Sequence, residues 1–235
     1  MQYLGFRLHG WAKQTGLKTV HERIDRTIAF VFQHENFKTM GSSRTDAMVS
    51  ANAGSFVLSI KHVINPDDFL TAINLNLPPD IKALSIKQVD SNYNPLAPNK
   101  TKTYLYLFSS GEKPHPFCAS LLTSVLKPLD IAKMKEAATL FAGEHDFWNY
   151  ATKPTKETKT TRSITSCEIV ENTEFTASFF PEQSYVLKIK GKGFLRYQIR
   201  LIMGTLFELG KGNLDLNFIK ESLKENNDQK YLRHN

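Results

Sequence analysis

In the stretch SSRTDAMVSA, residues 42–51, Asp46 is the only acid, Arg44 lies two positions before it, and the next acid toward the C-terminus is Asp67. A lone carboxylate beside an arginine, among serines and other small residues, has two readings. One is a turn with a helix cap. The other is a nucleophile beside a group that binds something anionic.

The other residues whose spacing bears on chemistry lie further along. In FLRYQIRLIMGTLFELG (194–210), Arg196 and Arg200 are four apart, so on one helix they share a face that Gly204 extends. Two guanidiniums and a residue without a side chain make a surface that a phosphate can approach closely. A solvated basic face would carry the same pattern. Ahead of it, KGKGF (190–194) suits a phosphate at a helix N-terminus but lacks the Walker spacing. In KTKTYLYLF (100–108), Lys100 and Lys102 precede Tyr104 and Tyr106, which face one side of a strand. That arrangement suits a stacked base flanked by phosphates; half-buried core positions are the alternative, and the expected one for one of the two. His145 and Asp146 are neighbours on a strand and point apart, so they are expected to serve caps and loops. The seven histidines show no metal-ligand spacing, and no GxSxG, HExxH or paired-carboxylate signature occurs. Any chemistry therefore rests on few groups, and no metal is expected.

Several elements must position these residues. TVHERIDRTIAFVF opens with the capping box Thr19 and Glu22, and Val20, Ile24, Ile28 and Val31 follow on one helical face. SFVLSI (55–60) reads as a strand. NPDDFLTAINLNLPPD reads as a helix capped by Asn65, entered through Pro66 and stopped by Pro78 and Pro79. KTYLYLF (102–108) reads as a strand, and SSGEKPHP (109–116) as a break. Beyond it, a helix is predicted from an Asp130 cap to Gly143, strands over RSITSCEIVE and SYVLKIK, the long helix over 194–210 with the stripe Leu195, Ile199, Ile202, Leu206 and Leu209, and a last helix over LNFIKESLKEN. TKPTKETKTT (152–161) has no apolar anchor and reads as a mobile basic loop. The fold class is α+β with mostly antiparallel sheet, in two halves, 1–110 carrying Asp46 and 111–235 carrying the arginine helix.

The 235 residues suffice for a real core, and 41% hydrophobic with 23% charged content is ordinary for a globular chain. The formal charge of +7 raises the odds of a nucleic-acid partner. Cys118 and Cys167 form no framework and read as reduced thiols of a cytoplasmic protein. No run approaches the roughly 20 apolar residues of a membrane span.

SSRTDAMVSA resembles the GRTDAGVHA motif of the TruA family of tRNA pseudouridine synthases. Further segments match in the family's order. YLGFRLHGWAKQ…GLKTVHERID is similar to its YDGxxxxGWQxQ…TVQ opening, and LNLPPDIKALSI to NxxLPxDI. KTYLYLF sits at its basic-x-Tyr-x-Tyr strand, LFAGEHDFWNY resembles GxHDF, and GKGFLRYQIRLIMGTLFELGKG resembles the FLxxxVRxIVGTLxxVGxG helix. The resemblance covers nearly the whole chain. It implies a pseudouridine synthase fold of two similar α+β halves around a mainly antiparallel central sheet with a basic cleft, a homodimer, and conversion of uridine to pseudouridine in the tRNA anticodon stem-loop without cofactor or metal. Carried over, Asp46 is the essential carboxylate, attacking either ribose C1′ or base C6. Arg44 contacts the RNA and fills the space of a flipped nucleotide, Tyr104 stacks on the target base, and Arg200 pairs with Asp46. Arg196 is a further substrate-binding candidate.

Departures fall near the motif. Ser43 and Met48 stand where the family has glycines, Ser50 where it has histidine, Leu4 where it has aspartate, and YNPLAP (93–98) replaces FHAR. Met48 is expected to narrow the pocket or face the core. The chain begins two residues before Tyr3 and ends in YLRHN, where the family continues with a strand; exposed sheet edges are the expectation. A catalytically silent RNA-binding relative on the same fold is the alternative. A hydrolase would need a second carboxylate beside Asp46, with Asp67 and Asp68 as candidates.

Overall fold

The computed structural model describes residues 1–97 and 100–224, so YLRHN and the end of the last predicted helix lie outside the described residues. The chain divides into two compact units, Met1–Ala97 and Pro98–Asn235.

The first unit contains β1 (Gln2–Tyr3), α1 (Val20–Phe32), β2 (Phe37–Gly41), β3 (Phe56–Ile60), α2 (Pro66–Asn76) and β4 (Ile81–Lys82). The strands form two antiparallel ladders: Tyr3 pairs with Ile81, and Phe37 to Gly41 pair with Ile60 to Phe56. The cap signals at Thr19 and Asn65 act as expected, while the Glu22 carboxylate of the capping box turns to Arg23 and Arg26 instead. Thr19 Oγ1 accepts from Glu22 N–H at 3.3 Å and caps α1. Asn65 Oδ1 accepts from the N–H groups of Asp67 and Asp68, whose carboxylates sit in the first turn of α2, on the favourable side of its dipole. Val20, Ile24 and Ile28 are buried on one face of α1 against Phe69 and Ile73 of α2, with Tyr3, Leu8, Trp11 and Ile81 completing the core. Each such aliphatic side chain contributes about 1.5–3 kcal/mol.

The second unit contains β5 (Lys102–Ser110), β6 (Thr123–Val125), α3 (Ile131–Thr139), β7 (Gly143–Asp146), β8 (Thr161–Glu171), β9 (Tyr185–Gly191), α4 (Gln198–Gly210) and α5 (Leu216–Ser222). Its five-stranded sheet has the order β6-β5-β9-β8-β7, parallel only between β5 and β6. One apolar core joins Phe108, Leu187, Ile189 and Ile164 of the sheet to Met134, Ala137 and Ala138 of α3 and to Ile202, Met203, Leu206 and Leu209 of α4. Tyr150, fully buried, shares a 2.6 Å hydrogen bond with Ser222 Oγ and ties the segment before β8 to α5. Cys118 and Cys167 are free and buried; burial and the neighbouring Glu168 push the Cys167 thiol up to about 12.

Three boundaries differ from the sequence reading. Strand β5 pairs with β9 along Lys102–Phe108, so it belongs to the second unit, although the break at 109–116 points to the first half. Helix α3 ends at Thr139, because Phe141, Phe147 and Tyr150 turn into the core and Gly143, at φ 112, opens β7. Helix α4 begins at Gln198, because Tyr197 is left-handed at φ 59 and breaks the helical path over 194–197. Among the described residues no helix is long and apolar enough to cross a membrane.

Candidate active site

Asp46 lies in the connection between β2 and β3. Ser42 closes its base, its N–H and Oγ both donating to Ser55 O at 2.9 Å. Within it, Asp46 C=O accepts from Val49 N–H at 3.3 Å, and Met48 between them has φ 64. A turn with only its third residue at positive φ is of type II, and that third position favours glycine. It is the position at which the family carries glycine and this chain Met48. The side chain does not face the core, since Met48 is 55% exposed, and the backbone keeps the turn at a strain of about 1–3 kcal/mol.

The N-terminal segment braces this loop on both sides of Asp46. Trp11 N–H donates to Thr45 O at 3.1 Å, Met48 N–H donates to Leu8 O at 3.0 Å, and Tyr3 and Ala51 exchange two bonds of 3.0 Å. The Tyr3 hydroxyl and Thr45 Oγ1 share a 2.9 Å hydrogen bond. Ser50 Oγ accepts from Gly5 N–H at 2.9 Å, so the serine in place of the family's histidine has a structural partner. The approach is close enough to require glycine twice. A Cβ on Gly5 would stand 2.1 Å from Val49 O, and one on Gly10, at φ 85, would stand 2.5 Å from Thr45 O. The carbonyls of Gly10 and Trp11 accept the first two N–H groups of α1, from Val20 and His21, at 3.0 and 3.1 Å, which locks the brace to a helix end.

A polar chain supports Trp11. His21 stacks on the indole at 5.6 Å and 25°. Its Nε2 donates to Thr39 Oγ1 at 2.6 Å, and Thr39 in turn donates to Asp25 Oδ1 at 2.5 Å. Lys13 forms an ion pair with Asp25. Burial holds the His21 pKa below 6.5, with Asp25 raising it and Lys13 lowering it. Asp46 itself is half-buried, and Arg44 is exposed.

Tyr104, Arg196 and Arg200 belong to the second unit. Tyr104 is half-buried on β5 and meets Phe194 edge-on at 5.0 Å and 78°. Tyr106 meets Phe207 at 6.2 Å, and its hydroxyl accepts from Thr123, so both tyrosines lean on the core. Arg196 precedes α4 rather than sharing its face with Arg200. Both guanidiniums nevertheless lie against the Tyr197 ring, at 5.1 and 5.3 Å from its centroid. The turn that presents Tyr197 is held by Gln198, buried, whose Oε1 accepts from Leu195 N–H at 2.8 Å. Gly204 is exposed on α4, with open space where a Cβ would stand.

Gly5 and Gly10 beside Asp46, and Tyr197 beside Arg196 and Arg200, shape their surroundings without being singled out in the sequence reading. The two glycines of LGFRLHG carry a signal, since glycine between bulky residues can mark close backbone approach. Tyr197 carries none: a left-handed tyrosine has no sequence signature.

The chain is thus a mixed α/β protein with a mainly antiparallel sheet in its second unit and a braced Arg-Thr-Asp segment in its first. A family model described as tRNA pseudouridine synthase matches residues 137–234. The chain is 32% identical over 219 residues to a tRNA pseudouridine synthase A of Solibacter usitatus, covering 92% of this chain and 88% of that one. It is 32% identical over 222 residues to a tRNA pseudouridine synthase A 2 of Clostridium perfringens, covering 94% and 86%, and 27% identical over 230 residues to a tRNA pseudouridine synthase A of Streptococcus equi, covering 97% and 89%. The chain belongs to the tRNA pseudouridine synthase family.

Proposed function

We propose that this protein isomerises uridine to pseudouridine in tRNA, at a position in the anticodon stem-loop, with Asp46 as nucleophile. The reaction breaks the N1–C1′ glycosidic bond, forms a C5–C1′ bond to the same base, moves a proton to N1 and releases the hydrogen of C5. It needs a carboxylate held still, a retained base and exclusion of water. The observation that carries the reading is the type II turn after Asp46, fixed by backbone bonds from Leu8 and Trp11 on either side of the carboxylate. Arg44 takes the space and phosphates of the flipped nucleotide, Tyr104 stacks on the base, and Arg196 and Arg200 bind the RNA. No resident metal or cofactor is required by these steps. The departures at Met48 and Ser50 leave the turn and its bracing in place, which favours an active enzyme over a silent relative. By resemblance to the family, the protein works as a cytoplasmic homodimer.

The test is to incubate the purified chain with unmodified tRNA and map pseudouridine by carbodiimide labelling and primer extension. New stops in the anticodon stem-loop are expected. Bound tRNA without stops anywhere would mean a silent RNA-binding relative.

A further inference from the structure

The first unit carries a groove outside the Asp46 turn. Its near end is a cavity of about 250 Å³ lined by Arg7, Lys18, Arg23, Pro78 and Asp80, among others. Past Arg23 and Pro78 it continues into a hollow of about 370 Å³ reaching Arg26, Thr27 and Phe30. The sequence builds this face simply. Arg23, Arg26 and Phe30 are spaced i, i+3, i+7 on α1, away from the buried Val20, Ile24 and Ile28, and span about 10 Å of helix.

Four cations line the groove. Arg7 pairs with Asp80 at 3.5 Å, and Arg23 and Arg26 pair with Glu22 at 3.5 and 3.2 Å. The side chains of Arg7 and Arg26 are 74% and 70% exposed, while their partners Asp80 and Glu22 are 14% and 29% exposed, and a pair whose cation stands in solvent is screened and holds weakly. A guanidinium can therefore exchange a carboxylate for a phosphate, which it binds in the same two-pronged way. Phe30 ends the groove 62% exposed. Leu8, in the wall, is the residue whose carbonyl holds Met48 N–H, so the groove backs onto the catalytic turn.

We propose that this groove takes the sugar–phosphate backbone of the RNA substrate away from the reacting nucleotide, with Arg7, Lys18, Arg23 and Arg26 on phosphates and Phe30 against a ribose or base. The proposal rests on the tRNA reading above and names where a second stretch of the same RNA lies.

Binding of unmodified tRNA is measured by anisotropy between about 50 and 200 mM KCl, the range in which phosphate neutralisation dominates the salt dependence. In an Asp46→Asn background, Arg7→Gln/Lys18→Gln/Arg23→Gln/Arg26→Gln is expected to flatten the slope of log K against log salt by about 3–4, near one for each phosphate left without its cation. The exposed pair Arg7→Gln/Arg26→Gln flattens it by about 1–2 and serves if the fourfold variant does not fold. Arg7→Lys/Arg23→Lys/Arg26→Lys keeps the slope. Phe30→Ala weakens binding several-fold at an unchanged slope. A slope that stays put in both glutamine variants overturns the proposal. Pseudouridine formation by the unsubstituted chain is scored separately: its absence removes the functional reading, whereas an unmoved slope removes only the groove.

Discussion

Gly10 lies directly against the backbone of Asp46: a methyl group on Gly10 would stand 3.0 Å from the Asp46 carbonyl carbon and 2.5 Å from Thr45 O. The glycine is left-handed at φ 85, so a side chain there is strained before it meets anything. Gly10→Ala is expected to push the turn outward while the core around Ile24 and Ile73 stays folded. A displacement of about 1 Å lowers turnover by about 100-fold. Single-turnover pseudouridine formation checks this, with tRNA affinity expected to change little.

Met48 holds a glycine's conformation at φ 64. Met48→Gly removes strain of about 1–3 kcal/mol and returns about 0.5–1 kcal/mol of backbone entropy to the unfolded chain. A net stabilisation of about 1 kcal/mol should appear in urea unfolding, and Met48→Ala should show none of it.

His21 makes stability depend on pH. Its folded pKa lies below the ordinary 6.5, so the unfolded chain binds the proton more readily. The contribution is fully present above about pH 6.5 and is lost as pH falls through the lower folded value. The groups facing the ring are Asp25, Lys13, Thr39 and the indole of Trp11. His21→Gln, which does not titrate, should flatten the fall in melting temperature below pH 6.5, read against the unsubstituted chain in the same buffers.

Tyr197 gathers Arg196 and Arg200 over one ring. Tyr197→Asn keeps a residue that tolerates left-handed backbone and removes the ring. Each exposed cation–π pairing contributes about 0.5–1 kcal/mol, so removing both should raise the KM for tRNA by about 5–30-fold. Steady-state kinetics decide the point; an unchanged KM would mean the ring does not set the guanidiniums.

Much of the fold was legible in local signals. Thr19, Asn65 and Asp130 cap the helices that their types and spacing predict, and the apolar stripe from Ile202 to Leu209 is buried as its period requires. What was not legible depended on tertiary context. The end of α3 is set by Phe141 entering a core that only the folded chain defines, and the start of α4 by a single left-handed tyrosine. Arg44 and Asp46 stand out by type, while Gly5 and Gly10, which hold the loop around them, act through close backbone approach, which composition does not encode.

The most direct test is tritium release from tRNA labelled at uridine C5, comparing the unsubstituted chain with Asp46→Asn. Every isomerisation liberates the C5 hydrogen, so release counts turnovers without mapping them. The expected result is release by the unsubstituted chain and none above background by Asp46→Asn, with tRNA still bound. Equal release by both proteins would contradict the assignment of Asp46 as the nucleophile.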